Sequence, residues 1–366
     1  MTAVSSTRAT RGRSAAGADR PVRVAIVGAT GYVGSELVRL LARHPNVEIV
    51  GLVARGREHE SVTATHPHLA TTGLLIDAER PEADAIFLAL PHGTAASMVP
   101  ELAANGSAII DLGPDFRLRD AAEYPRWYNF EHPAPQLLAG AVYGLPELHR
   151  AALQALVDAP VAIVGSPGCY PTATLLALAP LAREGLIGDL VVDAKSGVSG
   201  AGREAKPEMM FSEVNESVKA YGLGGHRHVA EIEQELGVLG ARGANPGVGR
   251  VDFLPHLVPM TRGILSACHV RPTRQVTQSE LDELYAAFYQ DEPFVTVVAE
   301  PPATKHVTGS NEARIHVRHD ARTGRIIAIG VIDNLVKGAA GQAVQAFNLV
   351  HGLPETAGLQ QLPLAP

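Results

Sequence analysis

Short apolar runs alternate with helical stretches along the first half of the chain. The runs are rich in Val, Ile and Leu and are bounded by Gly, Pro, Asn or Asp, a pattern typical of buried strands. Between them, the leucines at 37, 40 and 41 and the stretch 94–104 have helical spacing. This alternation predicts a parallel sheet flanked by helices, with strands at residues 22–27, 47–53, 85–90, 108–112 and 161–164.

The second half has a different pattern. Helices are expected at 175–182 and 230–236, and another begins at a capping box formed by Thr277 and Glu280, with Val276 and Leu281 as its hydrophobic staple. The remaining apolar runs have few helices between them, which indicates a mixed or antiparallel sheet with strands at 190–194, 251–254, 264–270, 294–298, 313–317 and 325–332. The Ala-rich stretch 333–349 predicts a buried helix that returns to the first domain.

Size and charge narrow the class of protein. The chain has 366 residues, of which 46% are apolar and 19% charged, as in soluble globular proteins with room for two domains. A net charge of −7 argues against a nucleic-acid partner. No run of about 18 apolar residues predicts a membrane span. The 2 cysteines, Cys169 and Cys268, favour a reducing compartment and a cytoplasmic protein.

Residues 1–20 form a predicted disordered tail. They are rich in Ser, Ala, Thr, Gly and Arg, with Asp19 as the only acid, and they have no apolar periodicity. An organelle transit peptide has a similar composition, but this tail has almost no apolar residues with which to form an amphipathic helix. We favour a nonfunctional extension and exclude it from the fold.

The first predicted strand leads directly into the glycine-rich turn GATGYVG, which precedes the first helix. Strand, glycine turn and helix are the context of a dinucleotide-binding loop, in which glycines permit a tight turn and close approach of a pyrophosphate. A purely structural glycine turn is the alternative. The turn predicts a Rossmann-type domain whose cofactor-binding residues are Gly28, Thr30, Gly31, Tyr32, Val33 and Gly34.

The second predicted strand ends where NAD enzymes usually supply an acid to the adenosine ribose. Here the chain has Arg55 and Arg57 instead. Guanidinium groups attract a 2′-phosphate, so we expect NADP(H) as the cofactor. An ordinary pair of solvated arginines is the alternative.

Turns after the later strands also fall at the carboxyl edge of the sheet, where open α/β sheets bind ligands. Pro91 and His92 follow one strand, and we expect His92 to pack near the cofactor. Arg117 follows the next strand and is a candidate anion clamp. The start of the last helix should bring Asn334 near the nicotinamide.

Cys169 lies between a predicted strand and a predicted helix, in the sequence GSPGCYPTA. A cysteine at a helix N-terminus is exposed to unpaired N–H groups and the positive end of the helix dipole, which lower its pKa. The thiolate is the nucleophilic form, so Cys169 is a candidate nucleophile. The alternative is a small buried apolar residue.

Two glycine-rich loops of the second half carry further candidates. Ser199, Gly200 and Arg203 lie in a loop that suits a phosphate or, alternatively, mere flexibility. His226 and His228 follow another glycine-rich turn, and an imidazole there is suited to act as a base for Cys169. A His-x-His pair can also ligate zinc or lie on the surface, but no further ligand cluster has matching spacing, so we predict no metal.

Together, these motifs resemble the N-acetyl-gamma-glutamyl-phosphate reductase family, a relative of aspartate-semialdehyde dehydrogenase. The resemblance covers roughly residues 21–352 in order. It rests on the segments at 28–34 (GATGYVG), 115–117 (DFR), 143–147 (YGLPE), 167–172 (PGCYPT), 196–202 (SGVSGAG), 226–228 (HRH) and 333–338 (DNLVKG). One departure is Ser166, where the family more often has Asn.

The resemblance implies roles for these residues. Cys169 is implied as the nucleophile and His226 as its base, with Arg117 at the phosphate. His228 and Arg262 are further candidates for binding the substrate, Arg262 at its α-carboxylate. The implied reaction is the NADPH-dependent reduction of a small acyl phosphate to a semialdehyde through a cysteine thioester. Aspartate-semialdehyde dehydrogenase, an aminoadipyl-phosphate reductase and a noncatalytic NADP-sensing protein are the alternatives.

We therefore predict an α/β protein of two domains. Residues 21–164 and 333–352 are expected to form the Rossmann-type NADP-binding domain. Residues 165–332 are expected to form an α+β catalytic and oligomerisation domain with a mixed or antiparallel sheet, and 353–366 a C-terminal tail. A homo-oligomer, dimer or tetramer, is expected.

Overall fold

The computed structural model describes residues 20–241 and 250–364 of the protein. These residues form two sheets covered by helices. The strands are β1 (Val22–Val27), β2 (Val47–Val53), β3 (Ala85–Leu88), β4 (Ala108–Asp111), β5 (Ala141–Tyr143), β6 (Ile163–Gly165), β7 (Ile187–Gly197), β8 (Lys219–Ala220), β9 (Asp252–Val258), β10 (Ile264–Pro272), β11 (Val295–Val297), β12 (Ala313–Asp320) and β13 (Arg325–Ile332).

The helices lie mainly on the faces of these sheets. They are α1 (Tyr32–Leu41), α2 (Val62–Thr65), α3 (Ala95–Ala104), α4 (Glu123–Tyr128), α5 (Pro135–Leu138), α6 (Pro146–Gln154), α7 (Cys169–Arg183), α8 (Phe211–Val214), α9 (His228–Ala241), α10 (Gln278–Tyr289) and α11 (Gly341–Val350). Short 3₁₀ turns occur at Pro67–Thr72, Val198–Ala201, Pro207–Met209 and Thr304–His306. None of the helices within the described residues is long and apolar enough to span a membrane.

The first sheet is parallel throughout, in the order β2-β1-β3-β4-β6-β5. Its central strands are apolar at most positions, with Arg23 in β1 and Asp111 in β4 as exceptions, because both faces are covered. In β1 and β3, for example, Ile26 and Phe87 face one core while Ala25 and Ile86 face another. The predicted α/β fold with a Rossmann-type parallel sheet is confirmed.

The second sheet is mixed, in the order β11-β12-β13-β10-β7-β9-β8, with parallel pairing only of β11 with β12 and of β7 with β9. This confirms the predicted mixed sheet. Its strands alternate: Val192, Cys268 and Ala328 are buried, whereas their neighbours Val191 and Ile327 are half-buried on the opposite face. One face therefore packs against helices, and the other is only partly covered.

Helix α7 lies on the inner face of the second sheet, and α10 lies beside it. The capping prediction for α10 agrees with the structure, because Thr277 Oγ1 accepts a hydrogen bond from the N–H of Glu280 at 3.2 Å. Val276 and Leu281, the predicted staple, are both buried. Local sequence therefore determines where this helix begins.

The last helix returns to the first sheet, as predicted from its Ala-rich sequence. Val344 and Phe347 of α11 pack in the core that contains Phe87. The predicted single helix over 333–349 was wrong at its start, because a π-helical turn, Val336–Ala340, precedes α11. Asp333 Oδ1 accepts hydrogen bonds from two N–H groups of the following turn at 2.8 and 3.2 Å, which delays the start of the helix. Beyond α11, Leu353 and Leu359 join the same core.

Candidate active site

A cavity of about 720 Å³ lies between the two sheets, at the carboxyl ends of the parallel strands. This is the edge at which open α/β sheets bind ligands. Thirteen of the predicted site residues line it: Gly31, Tyr32, Val33, Gly34, Pro91, Arg117, Cys169, Ser199, Gly200, Arg203, His226, His228 and Asn334. Six others do not: Gly28, Thr30, Arg55, Arg57, His92 and Arg262.

The three glycines of the turn before α1 differ in their surroundings. Gly28 has a φ of +90°, and a Cβ there would lie 2.2 Å from the carbonyl oxygen of Ala89. A Cβ on Gly34 would lie 2.3 Å from the oxygen of Gly28, so helix and strand pack closely. Gly31, in contrast, faces open space apart from one contact at 3.6 Å. The first N–H groups of α1 therefore open into the cavity, as a bound pyrophosphate requires.

The predicted 2′-phosphate residues lie outside the cavity. Arg55 and Arg57 are exposed, and Arg57 pairs with Glu60 at 3.1 Å. His92 also lies outside, where its Nδ1 accepts a hydrogen bond from Arg227 at 3.1 Å. Through this hydrogen bond, His92 contacts a residue of the cavity wall, Arg227.

Cys169 is the first residue of α7, and Gly168 is the N-cap. From the last helix, Gly338 packs against it so closely that a Cβ on Gly338 would lie 2.8 Å from Cys169 Cβ. Burial raises the pKa of the Cys169 thiol to about 11, although Arg117 and the N–H groups of Cys169 and Tyr170 oppose this. The expectation that the helix N-terminus lowers this pKa is therefore wrong, because desolvation outweighs the dipole.

Both predicted histidines lie beside residues 166–168, the turn before Cys169, which we call the nucleophile turn. Their rings are 4.8 Å apart, and His226 Nδ1 accepts a hydrogen bond from the N–H of His228 at 3.2 Å. A Cβ on Gly168 would lie 2.4 Å from His228 Nε2, so this ring packs directly against the residue before Cys169. Burial and the charge of Arg227 lower the pKa of His226 to about 4.

The pKa of His228 is also lowered well below its usual value, mainly by burial, with the neighbouring His226 as the next cause. Both rings are therefore neutral near pH 7 and able to accept a proton. With Nδ1 as an acceptor, neutral His226 has its proton on Nε2. His228 Nδ1 is buried and has no hydrogen-bond partner among the described residues.

Arg117 does line the cavity, but each nitrogen of its guanidinium contacts a partner within the protein. Nε donates to the oxygen of Ser166 at 2.6 Å, and Nη2 donates to the oxygen of Leu112 at 2.8 Å. Nη1 pairs with the buried carboxylate of Glu231 at 3.1 Å. The predicted anion clamp is thus held by the protein itself. Sequence reasoning missed Glu231, whose only signal was a helical acid three residues after His228.

Other cations of the cavity wall are free to meet an anion. Arg203, Lys219 and Arg227 are exposed, and Lys206 is half-buried, with its nearest acid, Glu204, 4.0 Å away. The sequence analysis predicted only Arg203 from this group. The loop with Ser199 and Gly200 lies along the same wall.

Arg262, predicted to meet a substrate carboxylate, lies between the two sheets instead. Its Nη2 pairs with Glu36 of α1 at 2.5 Å, and its Nη1 with Asp333 at 3.5 Å. Burial raises the pKa of Glu36, but the guanidinium groups of Arg39 and Arg262 lower it below its usual value. Arg262 thus joins the helix after the glycine turn to the segment that leads into α11.

Asn334 lines the cavity, but its amide is used within the protein. Its Oδ1 accepts from the N–H of Gly263 at 2.7 Å, and its Nδ2 donates to Ser199 Oγ at 2.9 Å. Asn334 therefore fixes the loop with Ser199 against the start of the last helix.

A buried ion pair supports the turn under Cys169. Lys337 Nζ lies 2.6 Å from Glu147 Oε1 and 2.7 Å from Gln345 Oε1, and both charged side chains are fully buried. The ion pair is next to Gly338, which packs against Cys169. Within the two described ranges, no group of three or more His, Cys, Asp or Glu is placed to hold a metal ion.

Comparisons with known proteins agree with this geometry. The family model described as semialdehyde dehydrogenase, NAD binding domain, matches residues 23–156, and the one described as semialdehyde dehydrogenase, dimerisation domain, matches 169–334. Among solved structures, aspartate-semialdehyde dehydrogenase with NADP from Candida albicans has a TM-score of 0.68 at 15% identity and covers 90% of this chain and 98% of that one. Aspartate-semialdehyde dehydrogenase II from Vibrio cholerae has a TM-score of 0.66 at 19% identity, with the same coverage. At these identities the likeness is one of fold.

Curated sequences are much closer. The N-acetyl-gamma-glutamyl-phosphate reductase of Heliobacterium modesticaldum is 50% identical over 357 residues, which is 94% of this chain and 100% of that protein. The enzyme of the same name from Desulforudis audaxviator is 49% identical over 348 residues, 92% of this chain and 98% of that protein. The chain therefore belongs to the N-acetyl-gamma-glutamyl-phosphate reductase family.

Proposed function

We propose that the protein catalyses the NADPH-dependent reductive dephosphorylation of N-acetyl-gamma-glutamyl phosphate to N-acetyl-glutamate 5-semialdehyde, a step of arginine biosynthesis. One observation carries the proposal: a cysteine at a helix start, two neutral histidines and an open glycine turn share one cavity. The names of relatives with 44–50% identity support the same reaction.

The residues present fit a dinucleotide. Gly31 leaves space for a pyrophosphate, and the N–H groups of Tyr32, Val33 and Gly34 would receive it. Arg55 and Arg57 would attract the 2′-phosphate, which favours NADP over NAD. A structural neighbour that was solved with NADP supports this choice. Gly28 and Thr30 would shape the turn, and Pro91, His92 and Asn334 would border the nicotinamide end.

The first chemical step begins from a protonated thiol. Because the pKa of Cys169 is about 11, a base must accept its proton as sulfur attacks the acyl carbon. The new C–S bond replaces the C–O bond to phosphate, which departs and leaves a thioester on Cys169. The N–H groups of Cys169 and Tyr170 would stabilise the developing negative charge at this helix start.

The histidines divide the proton transfers. The resemblance gave the role of base to His226, but its Nδ1 is engaged by the N–H of His228. His228 has a ring next to Gly168 and an unpartnered nitrogen, which favours exchanging the two roles. A bound reduced nicotinamide would supply the hydride that reduces the thioester. His226 Nε2–H would then hydrogen-bond to the resulting oxyanion. As this oxygen reforms the carbonyl of the semialdehyde and the C–S bond breaks, the departing sulfur of Cys169 would take the proton held on His228.

The pH–rate profile of each His→Asn variant tests this division. We expect His228→Asn to remove the base and lower kcat by about 10²-fold to 10⁴-fold. His226→Asn keeps the base and should lose less. A profile in which only His226→Asn is inactive would return the base to His226.

The leaving phosphate would lie against the free cations of the wall. Ser199, Gly200 and Arg203 would contact it, with Lys206 and Arg227 nearby. Arg117 would support the turn before Cys169 from behind, since each of its guanidinium nitrogens has a protein partner. For Arg262 a role between the domains replaces the predicted contact with substrate.

The core of the second sheet is distinct from the two cores of the first sheet, which supports a division into the predicted domains, 21–164 with 333–352 and 165–332, although Tyr143 and Leu148 pack in the core of the second sheet. We further propose a homo-oligomer. The open face of the second sheet exposes part of Val191, Ala267 and Ile327, and the matching family model is described as a dimerisation domain. Both cysteines are free, which favours the cytoplasm.

The test is the reverse reaction. The protein is incubated with NADP⁺, phosphate and the semialdehyde of N-acetylglutamate, aspartate or N-acetylaminoadipate, and the absorbance of the reduced cofactor is followed. One methylene of chain length changes kcat/KM by about 10-fold to 200-fold, so the preferred substrate should be clear. Preference for either other semialdehyde would assign that activity instead. Dinucleotide binding without turnover of any would identify an NADP-sensing protein.

A further inference from the structure

Glu231 is a fully buried acid in the first turn of α9, three residues after His228. Its Oε1 pairs with Arg117 Nη1 at 3.1 Å. Its Oε2 accepts two hydrogen bonds, from the hydroxyl of Tyr143 at 3.0 Å and from the N–H of Gly168 at 2.9 Å. Every contact therefore comes from an element that borders the nucleophile turn.

These contacts hold the turn before Cys169 from both sides. Arg117 Nε binds the carbonyl of Ser166, and Glu231 binds the N–H of Gly168. Because Arg117 and Glu231 also bind each other, the two clamps form one unit. A buried carboxylate that lost these partners would be strongly unfavourable, so the unit has little freedom to move.

Arg117 and Glu231 also affect the electrostatic environment of the Cys169 sulfur. Arg117 favours the thiolate of Cys169 and Glu231 opposes it, so the two charges act on its pKa in opposite directions. Tyr170 and Tyr221 are the other titratable groups that interact with this thiol, and both stay protonated because burial raises the pKa of each phenol. His226 and His228 are neutral.

We propose that Glu231 is a positioning residue for the reaction, which holds the turn before Cys169, and with it the thiol, in the attacking orientation and opposes the charge of Arg117 beside it. This inference rests on the proposed function, in which Cys169 is the nucleophile. It also agrees with a structural role for Arg117, because each nitrogen of its guanidinium has a protein partner and its charge is opposed by Glu231.

The test compares Glu231→Gln and Glu231→Asp with Glu235→Gln in the full chain. Glu235 is a matched control, because it is a buried acid on the same helix that pairs with Arg119 at 2.9 Å and His149 at 2.6 Å, away from the nucleophile turn. For each variant, kcat, the KM for NADP⁺, the thermal midpoint and the pH dependence of Cys169 alkylation by iodoacetamide are measured.

We expect Glu231→Gln to lower kcat about 10²-fold, the loss typical of an ångström-scale displacement of a reacting group, with an unchanged KM for NADP⁺. Because a negative charge is removed, the midpoint of alkylation should move to lower pH, an effect that a purely structural role would not produce. Glu231→Asp keeps the charge but shortens the side chain, so kcat should fall while the alkylation midpoint stays. Glu235→Gln should leave both unchanged.

The proposal would be overturned if the Glu231→Gln variant had the same kcat and the same alkylation midpoint as the wild type. If that variant does not fold, Glu231→Asp decides: wild-type kcat in it also overturns the proposal. Failure of the proposed function has a different signature, since it would appear as turnover by Cys169→Ser, whatever the residue at position 231.

Discussion

The protein contains two strand–turn–helix units that have similar backbone geometry but different proposed chemical roles. β1 leads through Gly31 into α1, and β6 leads through Gly168 into α7. Both N-cap glycines are extended, with φ and ψ of −78° and 168° in the first and −68° and 153° in the second, and neither helix has a side-chain cap. Backbone geometry alone therefore does not distinguish a phosphate site from a nucleophile site.

Tertiary neighbours make the difference. At Gly31 the space is open, so the N–H groups beyond it remain available to a ligand. At Gly168 the N–H is taken by Glu231 and the Cα is covered by His228. What a helix start binds is thus decided by the element that packs over it.

The burial of the second helix start also explains the raised pKa of the Cys169 thiol. A helix N-terminus stabilises a negative charge by about 0.3–1 kcal/mol, and by about 2 kcal/mol at most, which is less than about 1.5 pKa units. Burial can raise a pKa by up to about 3–5 units. Cys169 is therefore an acid of pKa about 11 that needs a base, rather than a preformed thiolate.

Gly168→Ala should disrupt the turn before Cys169 and leave the glycine turn before α1 intact. The new Cβ would lie 2.4 Å from His228 Nε2, so ring and turn must separate. We expect kcat to fall about 10²-fold or more, with the Kd of NADP⁺ unchanged. Steady-state kinetics and dinucleotide titration measure the two effects, and a weaker Kd for NADP⁺ would mean that the units are not independent.

Gly31→Ala should have the complementary effect. Its backbone suits alanine and its nearest contact is 3.6 Å away, so the fold should tolerate the change. The added methyl would enter the space of the pyrophosphate and raise the KM for NADP⁺ about 10-fold, with little change in Tm. Gly34→Ala is the control for packing, because its Cβ meets backbone at 2.3 Å and should lower Tm instead. An unaltered KM in Gly31→Ala would contradict a phosphate site here.

Arg262→Gln should have the smallest effect on activity. It breaks the link from α1 to the segment before α11, so the free energy of unfolding should fall by about 1.5–3 kcal/mol while the KM for the semialdehyde stays within about threefold. The pKa of Glu36 is lowered in the fold, so its contribution is present above the unfolded pKa and is lost as the pH falls through the folded pKa.

The difference in stability between wild type and Arg262→Gln should therefore shrink in acid. Urea unfolding at neutral and acidic pH measures it. A large rise in the KM for the semialdehyde, with stability unchanged, would restore the carboxylate-binding role that the resemblance implied.

The sequence was sufficient for features that depend on local pattern. Gly28 and Gly34, Cys169 at a helix start and the cap at Thr277 all follow from residues within a few positions of each other. Apolar periodicity was likewise enough to separate the parallel sheet from the mixed one.

Contacts distant in sequence could not be predicted. Glu231 is 63 residues from Gly168, and Arg262 is 226 residues from Glu36. The edge strand β5 is 3 residues long, too short for a periodic signal. The π-helical turn before α11 contains Gly338, whose close contact with Cys169 no local pattern encodes. The same holds for Arg117. Its position after a strand indicated an anion-binding residue, and only its contact with Glu231 reveals a structural role.

The central claim is that the sulfur of Cys169 carries the acyl group. The most direct test is to mix the protein with N-acetyl-gamma-glutamyl phosphate in the absence of dinucleotide and to measure its intact mass and the phosphate released. The account predicts one N-acetylglutamyl group on Cys169 with equimolar phosphate, and neither in Cys169→Ser. Phosphate release that requires NADPH, with no adduct on Cys169 at any time, would contradict it.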